Sequence, residues 1–247
     1  MRFTALRRGG LAASAATLAL LATACGDSSD DGDKGADAKA LTAAELEKAA
    51  LAQADVDNGE VHGVTETDAD RNDQVTSDDA ACAPLALILA HAPLGEPVAT
   101  EKRRWKEEGK KPSGSDAMTG EELLAYQDTE MASVMLASYE DGGAETVLKD
   151  TKAALEKCAD GFAYTAYAET TEVVKVTETE APKNADEAIA MTATSAIKDV
   201  EVPNKVVVAR QGSTVVTFDV ENIVATAMGE DFEFPTQVFD TQLGKLG

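Results

Sequence analysis

Apolar residues recur along this chain with two periods, and the change from one to the other falls at Gly161. Before it, helical spacing carries most of the pattern. Thr42-Ala43-Ala44-Glu45 forms a capping box, and Leu46, Ala49, Ala50 and Gln53 follow at helical intervals, so a helix is expected from Thr42. A second, short helix is expected from about Ala81 to His91, with Pro84 in its first turn and Cys82, Leu85 and Leu89 on one face. Gly142-Gly143 introduces a third, running to Cys158, with Leu148, Thr151, Leu155 and Cys158 on one stripe. Between these lie a polar, acidic stretch with a short strand at about 63–67, a strand at 98–106, a loop carrying Gly109, Pro112, Gly114 and Gly120, and an alternating strand from Met131 to Tyr139.

After Gly161 the period becomes two. Phe162–Ala168, Glu172–Thr179 and Glu187–Ile197 read as strands, and Val206–Arg210 and Thr214–Val220 flank Gln211-Gly212, the clearest hairpin signal in the chain. Phe234-Pro235 precedes a closing helix expected over Thr236 to Leu246. Helices early, strands late and short connections argue for an α+β fold in one domain, an antiparallel sheet packed with helices.

The first 40 residues follow neither period. Arg2, Arg7 and Arg8 precede an uncharged apolar run from Gly9 to Ala24, about 16 residues, which is short of the ~20 that a spanning helix needs. A basic start, a short apolar core and small residues before a cut site describe a secretory signal over residues 1–24. The run ends Leu21-Ala22-Thr23-Ala24-Cys25, which resembles a lipobox, so Cys25 is the expected lipidation site, with diacylglycerol on its sulfur and palmitate-type acylation. Arg7-Arg8 leaves the export route open between the general secretory and the twin-arginine pathways. Residues 25–40 then form the anchor and an acidic tether, with Asp27, Asp30, Asp31, Asp33 and Asp37 among Gly, Ser and Ala; a flexible coil of this length spans ~20 Å. Residues 41–247 are left for the folded domain, and the expected location is the outer face of the plasma membrane.

Charge narrows the partners. The whole chain carries −23, and removing residues 1–24 takes three of its 22 basic residues and none of its 45 acidic ones, leaving a net charge near −26. Phosphate binding needs a basic surface, so nucleic acid is excluded as a partner. With Cys25 lipidated, Cys82 and Cys158 remain, and two cysteines in an oxidising compartment read as one disulfide. Catalytic signatures are lacking: there is no G-x-S-x-G, no H-E-x-x-H, and only His62 and His91 as histidines, so no enzyme activity and no cofactor are expected. Asp68, Asp70, Asn72 and Asp79 occupy calcium-loop offsets, but Asp73 stands where the turn glycine belongs and Asp79 replaces the bidentate glutamate. An acidic solvated loop is the simpler reading, and Asp79 also suits a helix N-cap. Lys102, Arg103, Arg104 and Lys106 surround Trp105, the single tryptophan, as a candidate anion or ligand patch. Alternation along a strand would instead put Trp105 in the core and its neighbours against the abundant acids.

Several of these segments together resemble the PknH-like extracytoplasmic sensor-domain family in its free-standing actinobacterial lipoprotein form. The likeness is carried by Leu41–Leu51, Ala81–Leu85, Leu136–Tyr139, Leu155–Cys158 with Phe162, Val206–Arg210 before Gly212, and Phe234-Pro235 with Gln242, Lys245 and Leu246. The resemblance implies an α+β sheet with helices around a ligand cleft, and it matches Cys82 and Cys158 to one disulfide while a second pair of the kinase sensors is absent. It supplies no ligand residues. The expected function is thus a lipid-anchored, non-enzymatic binding or sensor-like module for an envelope or extracellular small molecule. A scaffold for a membrane protein partner, or a hydrolase with an unrecognised site, are the alternatives, and the oligomeric state is left open.

Overall fold

A computed structural model describes residues 39–64, 72–110, 118–198 and 200–247. Cys25, most of the tether, Asp68 and Asp70 lie outside the described residues.

Among the described residues nine strands form one antiparallel sheet. In chain order they are β1 (Glu60–Gly63), β2 (Thr76–Ser77), β3 (Ala99–Lys106), β4 (Met131–Ser138), β5 (Phe162–Ala166), β6 (Glu169–Thr179), β7 (Glu187–Ile197), β8 (Val200–Gln211) and β9 (Thr214–Glu221). Across the sheet they run β1-β3-β4-β9-β8-β7-β6-β5-β2. The two edges are the shortest strands, which limits the unpaired backbone a second chain could add to. Among the described residues six α-helices accompany the sheet: α1 (Ala43–Ala49), α2 (Ala83–Leu89), α3 (Gly120–Gln127), α4 (Gly143–Lys157), α5 (Ile223–Met228) and α6 (Thr236–Gly244). The α+β expectation therefore holds.

The central strands are apolar on both sides, and each side has its own cover. On the first face Ala137, Val206, Val208, Val215, Ile189 and Met191 pack against Leu85 and Ile88 of α2 and Leu148 and Leu155 of α4. On the second, Val134, Leu136, Val207, Val216, Phe218 and Val220 pack against Leu46 of α1 and Phe239 and Leu243 of α6. Phe218 and Phe239 meet edge to face at 5.2 Å. Chain ends are tied together by fully buried Gln242, whose Oε1 accepts from Leu51 N at 2.7 Å while Nε2 donates to Ala49 O at 2.8 Å.

Most local signals act as expected. Thr42 and Glu45 form the capping box of α1. The β8–β9 hairpin turns at Gly212-Ser213 with Gly212 at φ 58°, a conformation glycine adopts without a Cβ penalty. Four differences have physical reasons. The first strand sits at Glu60–Gly63 instead of 63–67, where its Val61 opposes Trp105 of β3. β8 begins at Val200 instead of Val206 and contains Pro203; this stretch pairs only with β7, so the missing N–H breaks no ladder bond. α3 falls in the expected loop; Thr119 and Glu122 cap it, but it buries no residue and so shows no apolar stripe. α5 is a single short helix capped by the Asn222 side chain on Ala225 N and ended by Gly229 at φ 72°.

Cys82 and Cys158 form a disulfide with Cα atoms 5.9 Å apart, joining the start of α2 to the end of α4 across 76 positions. It staples the two helices that cover the first face. Replacing both cysteines by alanine is expected to lower unfolding free energy by about 2–4 kcal/mol. Urea unfolding of the wild-type and double-variant chains checks this; an unchanged midpoint would mean that helix packing alone fixes this cover.

Candidate functional site

Strand alternation divides the expected basic patch between two faces. Lys102, Arg104 and Lys106 rise from the first face of β3, whereas Arg103 and Trp105 point to the second. Trp105 is 3% exposed and its Nε1 donates to Asn58 O at 3.0 Å, so it is core. Arg103 is structural as well: its Nε donates to Leu51 O at 3.1 Å and its guanidinium pairs with Glu101.

On the first face, among the described residues, the helices pack on the Ala137 end of β4, and beyond it the rows across β3, β4 and β9 turn polar. Register fixes the rows. His62 of β1 lies opposite Arg104, Arg104 opposite Ser133 of β4, and Ser133 opposite Asp219 of β9. The adjacent rows run Lys102-Met135-Thr217 and Lys106-Met131-Glu221. A basic column on β3 thus faces an acidic column on β9 across β4, two strand spacings or roughly 10 Å away. Within this trough a hollow of about 60 Å³ is lined by His91, Lys102, Arg104, Ser133, Met135 and Thr217, room for a few water-sized groups. His62 is exposed at the margin and pairs with Glu60 at 3.3 Å.

One wall comes from the end of α2. His91 N donates to Ile88 O and Ala92 N to Leu87 O, the crossed bonds of a Schellman motif. His91 occupies its left-handed position at φ 52°, where glycine is the usual residue. Its imidazole reaches β9, with Nε2 2.9 Å from Asp219 Oδ2. Asn204 Nδ2 donates to Asp219 Oδ1 at 2.8 Å, so both oxygens of this buried carboxylate are engaged. Tyr167, also left-handed at φ 55°, sits in the tight β5–β6 turn and donates its hydroxyl to Ala90 O at 3.0 Å. Two non-glycine residues in a costly backbone conformation therefore meet at the end of α2, beside the trough.

Burial alone lowers the His91 pKa. The hydrogen bond and charge of Asp219, joined by Glu221 and opposed by Lys102, outweigh it, so His91 titrates above its ordinary value. Burial, and then the Asp219 charge, raise the Glu221 carboxyl, with His91 and Arg104 pulling the other way. Burial also raises the Tyr164 hydroxyl, with the Asp219 charge adding to it. Convergent charges with displaced pKa values on one sheet face, beside a hollow, define a candidate site. Sequence reasoning passed over Asp219 and Glu221. The available signal was an acid at an inward-facing position of an otherwise apolar strand, Val215 to Val220.

Other hollows are less specific. A broad, open cleft of about 660 Å³ on the second face is bordered by Ala181, Ala190, Val207 and Phe234, but its main cation, Lys205, is taken up by Asp231 at 2.8 Å and by the Phe232 carbonyl. A hollow of about 270 Å³ near Trp105 is bordered by acids. There, burial and the hydrogen bond that its protonated carboxyl donates to the neighbouring Glu107 push Glu130 up to about 7, while Glu107 is lowered. Among the described residues no group of three or more His, Cys, Asp or Glu side chains is placed to hold a metal. Asp79 caps the turn before α2 by accepting from Ala81 N at 2.9 Å, and Asn72 opens a short 3-10 turn.

No family model and no curated protein matches the chain. Among solved structures it is similar to the crystal structure of the extracellular domain of PknH from Mycobacterium tuberculosis, with a TM-score of 0.50 and 11% identity over 84% of this chain and 95% of that one. At this identity the likeness is one of fold: a single antiparallel sheet flanked by helices. Among the described residues no helix is long and apolar enough to cross a membrane.

The His91–Asp219 pair gives a pH dependence with a defined sign. Because the folded pKa lies above the ordinary 6.5, the pair's contribution is fully present below that value and is lost as pH rises through the folded one. The urea midpoint of the wild-type chain is expected to fall over this range by more than that of His91→Asn, which tolerates the left-handed backbone. Parallel curves for the two proteins would show that the pair adds no stability.

Proposed function

We propose that this chain is a lipid-anchored, extracytoplasmic, sensor-like binding domain without catalytic activity, and that a small envelope or extracellular ligand seats in the trough. The observation that carries this reading is buried Asp219, held by His91 and Asn204 and lying across β4 from Lys102 and Arg104, which border the hollow with His91. A buried carboxylate is costly to arrange without partners, and here its partner His91 also borders the hollow. The basic, apolar and small-residue order of residues 1–25 supports export and acylation at Cys25. The shared fold with the extracellular domain of PknH is consistent with that location.

A hydrolase is less well supported. It needs a nucleophile bonded to the imidazole nitrogen that the carboxylate leaves over, and among the described residues His91 bonds Asp219 but no hydroxyl or thiol. A scaffolding role draws on a different observation, the exposure of Leu123 and Leu124 on α3 and of Ile223 and Met228 on α5.

Two measurements test the proposal. Cys25→Ala is expected to move the protein from the membrane fraction to the medium, and continued membrane association would sink the anchor. Native mass spectrometry of the exported chain is expected to find a small co-purifying mass that His91→Asn and Arg104→Gln diminish. A co-purifying protein in its place would favour the scaffold.

A further inference from the structure

We propose that α3 and α5 form a docking surface for a basic, amphipathic protein segment, at the end of the sheet remote from where the tether enters the domain. This goes beyond the trough and does not rest on it.

The surface is built from two helices joined at their caps. Asn222, the N-cap of α5, donates from Nδ2 to Oδ1 of Asp128, the C-cap of α3, at 2.9 Å. Leu124 stands one turn before Asp128 and Ile223 follows Asn222 directly, so both helices carry an apolar residue within a turn of that bond. Leu123 and Leu124 of α3 and Ile223 and Met228 of α5 are 43–63% exposed. Because α3 buries no residue, its two leucines add nothing to the core. In α5, Ala225 is buried, whereas Ile223, Ala227 and Met228 are exposed. Single exposed apolar residues are ordinary, but large ones grouped on two joined helices mark a surface that a partner covers.

Charge selects the partner. Residues 118–129 and 222–236 carry Glu121, Glu122, Asp128, Glu230, Asp231 and Glu233 and no Lys or Arg. Asp231 is paired with Lys205 of β8, while Glu121, Glu230 and Glu233 stand exposed. A second copy of this chain would bring the same acids against these, and the tether over residues 25–40 would bring its own aspartates. An anionic lipid surface is repelled in the same way. A segment with Lys or Arg beside its apolar residues gains attraction where each of these loses it.

Topology places the surface away from the tether. The first residues of the domain lie against the β8–β9 turn, where Ser213 Oγ donates to Lys39 O and Leu41 N donates to Ser138 Oγ. α3 leads into β4 at Met131 and α5 leaves β9 at Glu221, and these two residues pair at the opposite end of both strands from Ser138 and Thr214. The eight residues of β4 put about 25 Å between the two ends. On an anchored chain the helices therefore sit on the end turned from the tether, open to proteins of the envelope.

The test is calorimetric titration of the exported Cys25→Ala chain with a synthetic helix carrying leucine on one face and lysine on the other. One control has the same composition with the apolar face scrambled, and another has glutamate in place of lysine. The leucine-lysine helix is expected to bind about tenfold or more tighter than either control. Leu124→Ser with Ile223→Ser keeps the net charge and is expected to weaken it about tenfold, the worth of two lost apolar contacts. Glu121→Gln with Glu230→Gln is expected to weaken it and to flatten its salt dependence. If the serine pair lowers the urea midpoint, the glutamine pair decides, since both of its positions are exposed. Equal binding of the scrambled peptide would overturn the proposal, because net charge alone would then suffice, as would variants that bind like wild type. A dimer in sedimentation that the serine pair abolishes would assign the surface to a second copy. Flotation with phosphatidylglycerol vesicles, lost in the same pair, would assign it to the membrane, and either result would overturn the proposal.

Discussion

The fold depends on one constraint: the central strands β4, β9 and β8 are apolar on both sides and must be covered twice. An antiparallel sheet with one wet face could rest on a single helical layer. Here Val215 and Val216, or Val206 and Val207, point to opposite faces, and both members of each pair are buried. Leaving either face open would expose several large side chains, each worth about 1.5–3 kcal/mol in burial. This requirement explains why the chain spends its N-terminal and C-terminal helices on one face and its two central helices on the other.

The two covers are secured differently. On the second face, α1 and α6 come from opposite ends of the chain, and the buried amide of Gln242 links them by bonding the backbone just after α1. On the first face, the disulfide ties α2 to α4. Beyond that pair, the same side of β3 carries buried Lys102 and exposed Arg104 and Lys106. Where the cover ends, the floor changes from valine and isoleucine to serine, threonine and charge. The trough is thus a consequence of how far α2 reaches, and His91 at its end is the residue that meets the polar floor.

Much of this could be read from sequence where the signal was local. The Thr42–Glu45 box, the stripe on α4 and the turn at Gln211-Gly212 each lie within a few residues of what they specify. Trp105 as a core residue followed from alternation along β3. α3 was missed because a helix that buries nothing has no apolar period, although its Thr119–Glu122 box was present. The start of β8 was hidden by Pro203, which is harmless only because β9 does not reach it. The centre of the site was out of reach for another reason: His91 and Asp219 are 128 positions apart, and only the sheet order brings them together. Lys102 and Arg104 could be named from the chain, but the acids that face them across β4 could not.

The backbone at His91 argues that its side chain is there for a purpose beyond ending a helix. A Schellman turn needs a residue in the left-handed region, and glycine fills it without the 1–2 kcal/mol that a Cβ costs. The chain has 18 glycines and uses one for that role after α5, at Gly229. At the end of α2 it carries histidine instead and bears the strain. Tyr167 repeats the pattern nearby, in a tight turn where Asn-Gly is the common choice, and its hydroxyl secures the carbonyl immediately before His91. Helix termination alone gains nothing from either side chain. The His91–Asp219 bond does, since it fixes the end of α2 against β9 and gives the buried carboxylate a charged partner.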